Sequence, residues 1–374
     1  MMKLQMVDLK GQYYKIKKEV DFEIQKVIDS TEFINGHKVH EFSQHLSEFT
    51  GSKYVIPCAN GTDALQIAFM ALDLKLGDEI IVPAFTYAAT AEVICLLGLV
   101  PVMVDVDPES FNLSVSELES AITPCTKAIV PVHLFGQCSD MEPILKIAEK
   151  YNLWVIEDNA QSLGAEYTFS SNETKKTGTM GHIGCTSFFP TKNMGCFGDG
   201  GALFTNDDKL SEKISMIANH GQKIKYYHSI VGCNSRLDTI QAAVLDVKLK
   251  HLREHLKARQ KAAEFYDEAL STWQIGNIPN RMSYSSHTFH QYTLRIKDGR
   301  RDELKTFLSR TDIPTMIYYP LPLYKQDAFK NYVSRGFELQ NTENLCNSVI
   351  SIPIHTEMNN DILSKITDAL KSFK

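Results

Sequence analysis

Short apolar runs alternate with helical patterns along the chain from Lys53 onward. The apolar runs are rich in β-branched residues and end at polar or glycine-containing turns: KYVIPC, DEIIVP, VPVMVDV, KAIVPVHLFG and LWVIED. Patterns typical of helices lie between them: GTDALQIAFMALDL, YAATAEVICLLG, SVSELESAI and SDMEPILKIAEKYN. This alternation predicts βαβ units, and therefore an α/β fold whose mainly parallel sheet has helices on both faces. CTSFFP and GALFTND predict two later strands of the same sheet.

The predicted domain organisation follows a change of pattern late in the chain. A length of 374 residues suggests two or three domains. Residues 1–250 form the predicted large domain, which begins with a polar, partly helical segment. A long basic helix then leads into a predicted smaller α+β domain, residues 251–374. There the strand patterns FHQYTLRI, TMIYYPLPLY and SVISIPIH alternate with the helical patterns RRDELKTFLSR and DILSKITDALKS.

Composition and charge argue against several classes of protein. The formal net charge is −6 and no block of lysines and arginines dominates, so neither a nucleic acid nor a membrane surface is an expected partner. The first twenty residues lack the apolar core of a signal peptide, and the eight cysteines form no C-x-x-C pair. We therefore expect a cytoplasmic protein with reduced thiols.

No metal site is predicted, although one stretch matches a zinc pattern by its letters. HLREH at residues 251–255 has the spacing H-x-x-E-H. It lies within KLKHLREHLKAR, which is rich in lysine and arginine and typical of the solvated face of a helix. We expect this face to contact solvent and not to bind zinc.

Lys192 is the only lysine between Lys176 and Lys209, in the stretch CTSFFPTKNMGCFGDGGALFTND. A lysine on a surface loop is the ordinary alternative. However, an apolar setting favours the neutral amine, which is the nucleophile required for a Schiff base with an aldehyde cofactor. The glycines that follow allow backbone or ligand to approach closely.

The other parts of a pyridoxal phosphate (PLP) site have candidates as well. Asp158 follows the strand pattern LWVIED, where its carboxylate can pair with a pyridine nitrogen, although it can also be a helix N-cap. Gly61 and Thr62 lie at a strand-to-helix turn whose backbone N–H groups suit a phosphate. The alternative is that these residues only form the turn and bind no ligand. Ser187 offers a second hydroxyl. Tyr87 can stack on the cofactor ring or belong to the core.

Together these motifs resemble the DegT/DnrJ/EryC1/StrS family of sugar aminotransferases, which are fold-type-I PLP enzymes. The resemblance runs from MVDLKGQY to SIPIH, and its most specific parts are ANGTDAL, PAFTYAATAE, VIEDNAQS, SFFPTKNMGCFGDGGALFTND and HGQ…GCNSRLDTIQAA. It implies that Lys192 is the aldehyde-binding lysine and the proton shuttle, and that Asp158 is the partner of the pyridine nitrogen. Asn159 departs from the alanine that is frequent in the family, beside Asp158 and not in its place.

The resemblance also assigns residues that the spacing alone does not. Gln161 resembles the residue that touches the cofactor's phenolic oxygen. Asn234 resembles a phosphate ligand donated by the neighbouring subunit, which implies a homodimer with shared active sites. Arg236 is expected to face a substrate carboxylate or to form an interface salt bridge. His220 and Tyr319 are further expected substrate-binding residues.

The implied reaction is transamination of a nucleotide-linked keto sugar with L-glutamate as amino donor. The nearest resemblance is to the subgroup that aminates C3 of UDP-2-acetamido-2-deoxy-3-oxo-glucuronate in polysaccharide or O-antigen biosynthesis. Amination of a C4-keto or dTDP-3-keto-6-deoxy sugar is the alternative. A sugar dehydratase of the family carries histidine where Lys192 stands, and a non-catalytic sensor is expected to lose part of the lysine, aspartate and phosphate set.

Overall fold

The computed structural model of the protein describes residues 4–332 and 339–374. The helices of these residues are α1 (Leu9–Ser30), α2 (His37–Thr50), α3 (Gly61–Ala71), α4 (Ala89–Leu96), α5 (Val115–Ala121), α6 (Met141–Tyr151), α7 (Asp208–Ala218), α8 (Thr239–Ala269), α9 (Arg301–Arg310), α10 (Gln340–Ser348) and α11 (Asn360–Ser372). Short 3₁₀ helices span Leu134–Gly136, Leu323–Lys325 and Asp327–Phe329.

The strands are β1 (Tyr54–Cys58), β2 (Glu79–Pro83), β3 (Val100–Val104), β4 (Thr126–Ile129), β5 (Trp154–Asp158), β6 (Glu166–Thr168), β7 (Thr174–Lys176), β8 (Ile183–Ser187), β9 (Gly201–Thr205), β10 (Gln222–Ile224), β11 (Tyr227–His228), β12 (Gly276–Asn277), β13 (Tyr292–Ile296) and β14 (Val349–Ile352). Two pairs, β6–β7 and β10–β11, form separate two-stranded ribbons.

A seven-stranded sheet in the order β1-β9-β8-β5-β4-β2-β3 forms the centre of the large domain. The pairs β2–β3, β2–β4, β4–β5 and β5–β8 are parallel, whereas β9 is antiparallel to both of its neighbours. Six strands therefore run in one direction, and the predicted mainly parallel sheet is confirmed. Their carboxyl ends meet at one edge of the sheet.

Apolar residues cover both faces of this sheet. On one face, residues of α3, α4 and α7 pack in a cluster with strand residues such as Ile80 and Ile156. On the other, α5 and α6 pack against Ile81 and Val155. Because neighbouring strand residues point to opposite faces, strands buried on both sides must be apolar throughout, which explains the continuous runs in the sequence.

Helix α8 runs from one hydrophobic cluster to another. Its first half packs with α2 and with Phe188, and its second half packs with β13, β14, α9 and α11. The strands β12, β13 and β14 form an antiparallel sheet in this C-terminal part. Residue 250 lies inside α8, so the helix joins the two predicted domains, and the boundary itself stays a prediction.

The expected solvated face at KLKHLREHLKAR is wrong in part. Leu252 and Leu256 are buried, as are the charged residues Lys248 and Arg259. The reason is that α8 is covered from several sides, so only one stripe of this segment reaches solvent. Among the described residues, no group of three or more His, Cys, Asp or Glu side chains is placed to hold a metal ion.

The end of β3 is tied to the C-terminal part by a buried carboxylate. Asp105 accepts hydrogen bonds from the backbone N–H groups of Asn341 (2.8 Å) and Thr342 (2.7 Å), and from the Thr342 hydroxyl (2.7 Å). Nearby, Arg295 of β13 forms two 2.8 Å contacts with the carboxylate of Glu109. These contacts fix α10 and β13 against the large domain.

The eight cysteines are all free thiols, and of these only Cys125 is exposed. It lies directly before β4, at the amino end of that strand. None of the helices in the described part of the chain is both long and apolar enough to cross a lipid bilayer.

Candidate active site

A cavity of about 850 Å³ opens at the carboxyl edge of the central sheet. Residues that follow β1, β2, β4, β5 and β8 line it, together with residues of the C-terminal part. The lining residues include Asn60, Gly61, Thr62, Asp63, Thr86, Tyr87, Val132, Phe135, Asp158, Ala160, Gln161, Ser187, Phe189, Thr191, Lys192, Asp199, His290, Gln291, Tyr318 and Tyr319. Ligands of open α/β sheets bind at this edge, because loops from several strands converge there.

Lys192 lies in the connection between β8 and β9 and lines the cavity. The connection folds back on itself, since the N–H of Lys192 donates to the carbonyl of Phe189 (2.8 Å) and that of Cys196 to the carbonyl of Phe188 (2.8 Å). Withdrawal from water lowers the pKa of Lys192 to about 8, and the negative charge of Asp158 partly opposes this effect. A substantial fraction of the amine is therefore neutral near pH 8.

Asp158 ends β5 and is almost fully buried at the wall of the cavity. Its carboxylate accepts hydrogen bonds from the Thr90 hydroxyl (2.8 Å) and from the N–H of Ala160 (3.2 Å). No helix begins in residues 159–165, so the alternative of a helix N-cap is wrong. The two bonds fix the carboxylate at the wall of the cavity.

Asn159 points away from this carboxylate. Its amide donates to the carbonyl of Thr177 (3.1 Å) and accepts from the hydroxyl of Ser162 (2.5 Å). The departure from alanine therefore leaves the surroundings of Asp158 at the cavity unchanged.

Gly61, Thr62 and Ser187 form a tight cradle. Helix α3 begins at Gly61, after Asn60, whose side chain caps the helix by accepting from the N–H of Asp63 (2.8 Å). A Cβ atom on Gly61 would lie 2.6 Å from the Cβ of Ser187, so only glycine permits this approach. The first N–H groups of a helix carry partial positive charge and bind anions. This arrangement fits the phosphate of PLP.

Gln161 and Tyr319 form a polar link across the cavity. The side chain of Gln161 accepts from the N–H of Phe135 (2.8 Å) and donates to the hydroxyl of Tyr319 (3.1 Å). Tyr87 lies at the mouth with 61% of its surface exposed, so the alternative of a core position is wrong. Its ring centroid is 6.3 Å from that of Tyr319.

Three of the predicted site residues lie outside this cavity: His220, Asn234 and Arg236. Asn234 and His220 are exposed, and Arg236 donates to the side chain of Asn219 (3.3 Å). Arg236 lines a second cavity with Lys223 and Lys225. A residue that serves the partner subunit's site must lie away from the cavity of its own chain, as these three residues do. Their role in a shared site stays a prediction.

The structure adds cavity residues that the sequence reasoning missed, above all Thr86, His290 and Gln291. Neither the Thr86 hydroxyl nor Nδ1 of His290 has a hydrogen-bond partner within residues 4–332 and 339–374, although both atoms are buried. A polar histidine at the start of the apolar strand pattern FHQYTLRI is the one signal that the sequence offered.

Comparison with known proteins places the chain in a family. The model of the DegT/DnrJ/EryC1/StrS aminotransferase family matches residues 14–371. A UDP-2-acetamido-2-deoxy-3-oxo-D-glucuronate aminotransferase of Pseudomonas aeruginosa is 45% identical over 98% of this chain and 99% of its own length. A pleiotropic regulatory protein of Geobacillus stearothermophilus is 41% identical over 100% of this chain and 99% of its own.

The fold is shared with solved structures. The crystal structure of NtdA from Bacillus subtilis with bound cofactor PMP superposes with a TM-score of 0.90 at 28% identity, covering 99% of this chain and 85% of that one. The resemblance read from the sequence and the fold that it implied are thereby confirmed. The chain is an enzyme that belongs to the DegT/DnrJ/EryC1/StrS aminotransferase family.

Proposed function

We propose that the protein transfers an amino group from L-glutamate to a nucleotide-linked keto sugar with PLP as cofactor. The observation that carries the proposal is the convergence of Lys192, Asp158 and the Gly61–Ser187 cradle on one cavity. For PLP chemistry a protein must supply a nucleophilic amine, a fixed carboxylate and a binding site for the phosphate.

Each part of the cofactor has residues that would hold it. Asp158 would face the pyridine nitrogen, and Gly61, Thr62 and Ser187 the phosphate. Gln161 would reach the phenolic oxygen, and Tyr87 would stack on the ring. When bound, PLP supplies an aldehyde that reacts with amines and a ring that withdraws electrons.

The protein's own residues then handle the proton. With a pKa of about 8, Lys192 can take a proton at Nζ from the α-carbon of glutamate and later return one. The bonds from Thr90 and Ala160 hold the carboxyl group of Asp158 in place during these steps. In the second half of the cycle the keto sugar accepts the amino group from the same site.

We propose C3 of a UDP-2-acetamido-3-keto-hexuronate as the aminated position, in polysaccharide or O-antigen biosynthesis. Support comes from the name and the 45% identity of the Pseudomonas relative. A cavity of about 850 Å³ is near the upper end of ligand pockets, which span roughly 300–1,000 Å³, and suits a cofactor and a sugar together. Arg236, His220 and Tyr319 are the proposed substrate-binding residues. A cytoplasmic homodimer with shared sites completes the proposal.

Two observations weigh against the rival functions, a sugar dehydratase and a purely regulatory role, of which the second is raised by the name of the Geobacillus relative. Lysine, and not the histidine of the family's dehydratases, stands at position 192. The carboxylate and the cradle are retained beside it. Both are needed for transamination.

The test is a panel of UDP- and dTDP-linked 3-keto and 4-keto sugars, each incubated with the holoenzyme and L-glutamate and analysed by mass spectrometry. We expect an amino product from the UDP-3-keto-hexuronate above all. An amino product from a 4-keto sugar alone would contradict the proposed position, and the absence of an amino product from every sugar would contradict the proposed reaction.

A second experiment tests the lysine assignment. Borohydride reduction and peptide mapping should place the pyridoxyl group on Lys192, and a label on another lysine would refute that assignment.

A further inference from the structure

His290 is a buried side chain of the cavity to which nothing above gives a role. Only 6% of its surface is exposed, and it lines the cavity together with Lys192. Its Nδ1 atom has no hydrogen-bond partner in the described part of the chain. Buried polar atoms are almost always paired, so an unpaired one at a ligand cavity indicates a partner that arrives during function.

The backbone around His290 is fixed from two sides. On one side, the buried guanidinium of Arg259 donates to the carbonyls of Phe289 (3.1 Å) and Ile354 (3.0 Å), and lies 3.5 Å from that of His290. On the other, the N–H of Thr288 donates to the carbonyl of Gly136 (2.9 Å). The backbone that carries the His290 side chain is therefore held in place at the wall of the cavity.

The residue before His290 is strained. Phe289 has a φ of 48°, in the left-handed region that bulky residues avoid. Its ring stacks on His287, whose Nδ1 accepts the N–H of Phe289 (2.9 Å), and these contacts hold the conformation. Strain of this kind persists only where the surrounding structure stabilises it, and it is frequent at functional sites.

The electrostatic surroundings keep His290 neutral. Burial, followed by the positive charges of Lys192 and Arg259, holds the pKa of His290 well below its usual range. The imidazole can therefore accept a hydrogen bond at neutral pH. The titratable or charged side chains that line the same cavity are Asp63, Tyr87, Asp158, Asp199, Tyr318 and Tyr319, besides Lys192 itself.

We propose that His290 is a positioning residue of the site, whose Nδ1 accepts a hydrogen bond from the ammonium of Lys192 whenever that group is protonated and free of cofactor. Lysine must carry a proton for part of each transamination cycle, in a setting where a charged amine is costly. An acceptor beside it lowers that cost, and the flexible stem of Lys192 allows the reach. No proton passes to His290 itself.

The inference deepens the proposed function, but its test does not use transamination. The full-length protein is freed of cofactor, and the acetylation of Lys192 by acetic anhydride is followed from pH 6 to pH 10 by mass spectrometry of its peptide. In the unsubstituted protein the midpoint is expected below the usual value for a lysine, because burial lowers the pKa of Lys192. A hydrogen bond to the charged form favours that form, so His290→Leu should lower the midpoint by about one pH unit.

Two further variants make the result specific. His290→Asn keeps an acceptor close to the position of Nδ1, so its midpoint should stay near that of the unsubstituted protein. His255→Leu removes a half-buried histidine of α8 that does not line the cavity, and should change nothing. Circular dichroism checks folding. If the leucine variant does not fold, His290→Phe replaces it, since phenylalanine keeps the ring without the acceptor.

An unchanged midpoint in the leucine or phenylalanine variant would overturn the inference, as would an equal shift in the asparagine variant. The outcome is independent of the substrate panel. A protein that aminates none of the sugars but shows the shift would refute the proposed function and leave the role of His290 standing.

Discussion

Asp158 and Lys192 stand in one cavity but are fixed in different ways. Asp158 ends a strand and is held by two hydrogen bonds, whereas Lys192 lies in the connection between two strands and carries its amine on a flexible four-carbon stem. The carboxylate thus supplies a fixed charge and the lysine a movable base. A fixed charge is effective because it need not reorganise during the reaction.

Asp158→Asn should retain the cofactor and slow transamination by roughly 100-fold or more. Asparagine keeps an oxygen that can accept from Thr90, so the fold is preserved, but the negative charge opposite the ring nitrogen is lost. Cofactor content is read from the absorbance spectrum and the rate from single-turnover reaction with glutamate. A rate within threefold of the unsubstituted protein would contradict the proposed role of Asp158.

Among single residues, the sequence predicted those site residues whose immediate neighbours in the chain form a recognisable pattern. Lys192 is alone among apolar residues and glycines, and Asp158 follows an apolar run. The bond between Gln161 and Tyr319 joins residues 158 positions apart, and His290 reaches the site from the C-terminal part. No local pattern contains such pairings, since they depend on how distant elements pack.

Helix α8 carries a buried amine that holds the Lys192 connection. Nζ of Lys248 donates to the carbonyl of Gly195 (2.5 Å) and lies 5.0 Å from the ring centroid of Phe197. Burial lowers the pKa of Lys248 to about 8. Between pH 8 and pH 10.5 the unfolded chain therefore binds more protons than the folded one, so the free energy of unfolding rises with pH across this window.

Lys248→Met should raise the free energy of unfolding at pH 7, by about 1–2 kcal/mol. The buried charge costs about 3 kcal/mol there, and the lost hydrogen bond to Gly195 offsets about 1 kcal/mol or more. The rise of stability between pH 8 and pH 10 should become smaller. Urea unfolding at both pH values measures the effects.

Lys250→Met, at an exposed position of the same helix, is the control and should change the free energy of unfolding by less than about 0.5 kcal/mol. A clear loss of stability in the Lys248 variant at pH 7 would mean that the bond to Gly195 dominates.

Among the elements, the parallel strands were the most predictable and the burial of α8 the least. Apolar runs with β-branched residues identify strands buried on both faces. The positive charges of KLKHLREHLKAR predicted a solvated face for that segment, yet Lys248 and Arg259 are buried. Their amine and guanidinium bind carbonyl groups of distant segments, which no pattern within the helix indicates.

Across the whole molecule, the Asp105 carboxylate joins the large domain to α10. Asp105→Ala should lower the free energy of unfolding by about 3 kcal/mol, because the buried N–H groups of Asn341 and Thr342 lose their acceptor. Turnover should fall as well, since His290 and Tyr319 reach the cavity from the C-terminal part. Asp105→Asn keeps one acceptor oxygen and should show a smaller loss by denaturant unfolding. Equal stability of all three proteins would show that the joint contributes nothing.

The proposed shared site makes a prediction about two inactive chains. Lys192→Ala and Asn234→Ala proteins should each be inactive or weak alone. A mixed dimer places both lesions in one site and leaves the other intact, so activity should partly return after the chains exchange. With free exchange about half of the dimers are mixed. Absence of recovery, with exchange confirmed by native mass spectrometry, would mean that Asn234 serves its own subunit.

The exposed thiol of Cys125 gives the molecule a natural handle for labelling. Burial raises the pKa of Cys95 to about 11 and also raises that of Cys233, and the five remaining cysteines are buried. Maleimide reagents attack thiolates, so Cys125 should react first. Because it precedes β4 at the amino end, a fluorophore or biotin attached there sits at the edge of the sheet opposite the cavity. The chain can thus be labelled and immobilised without any substitution, with the entrance of the cavity left open.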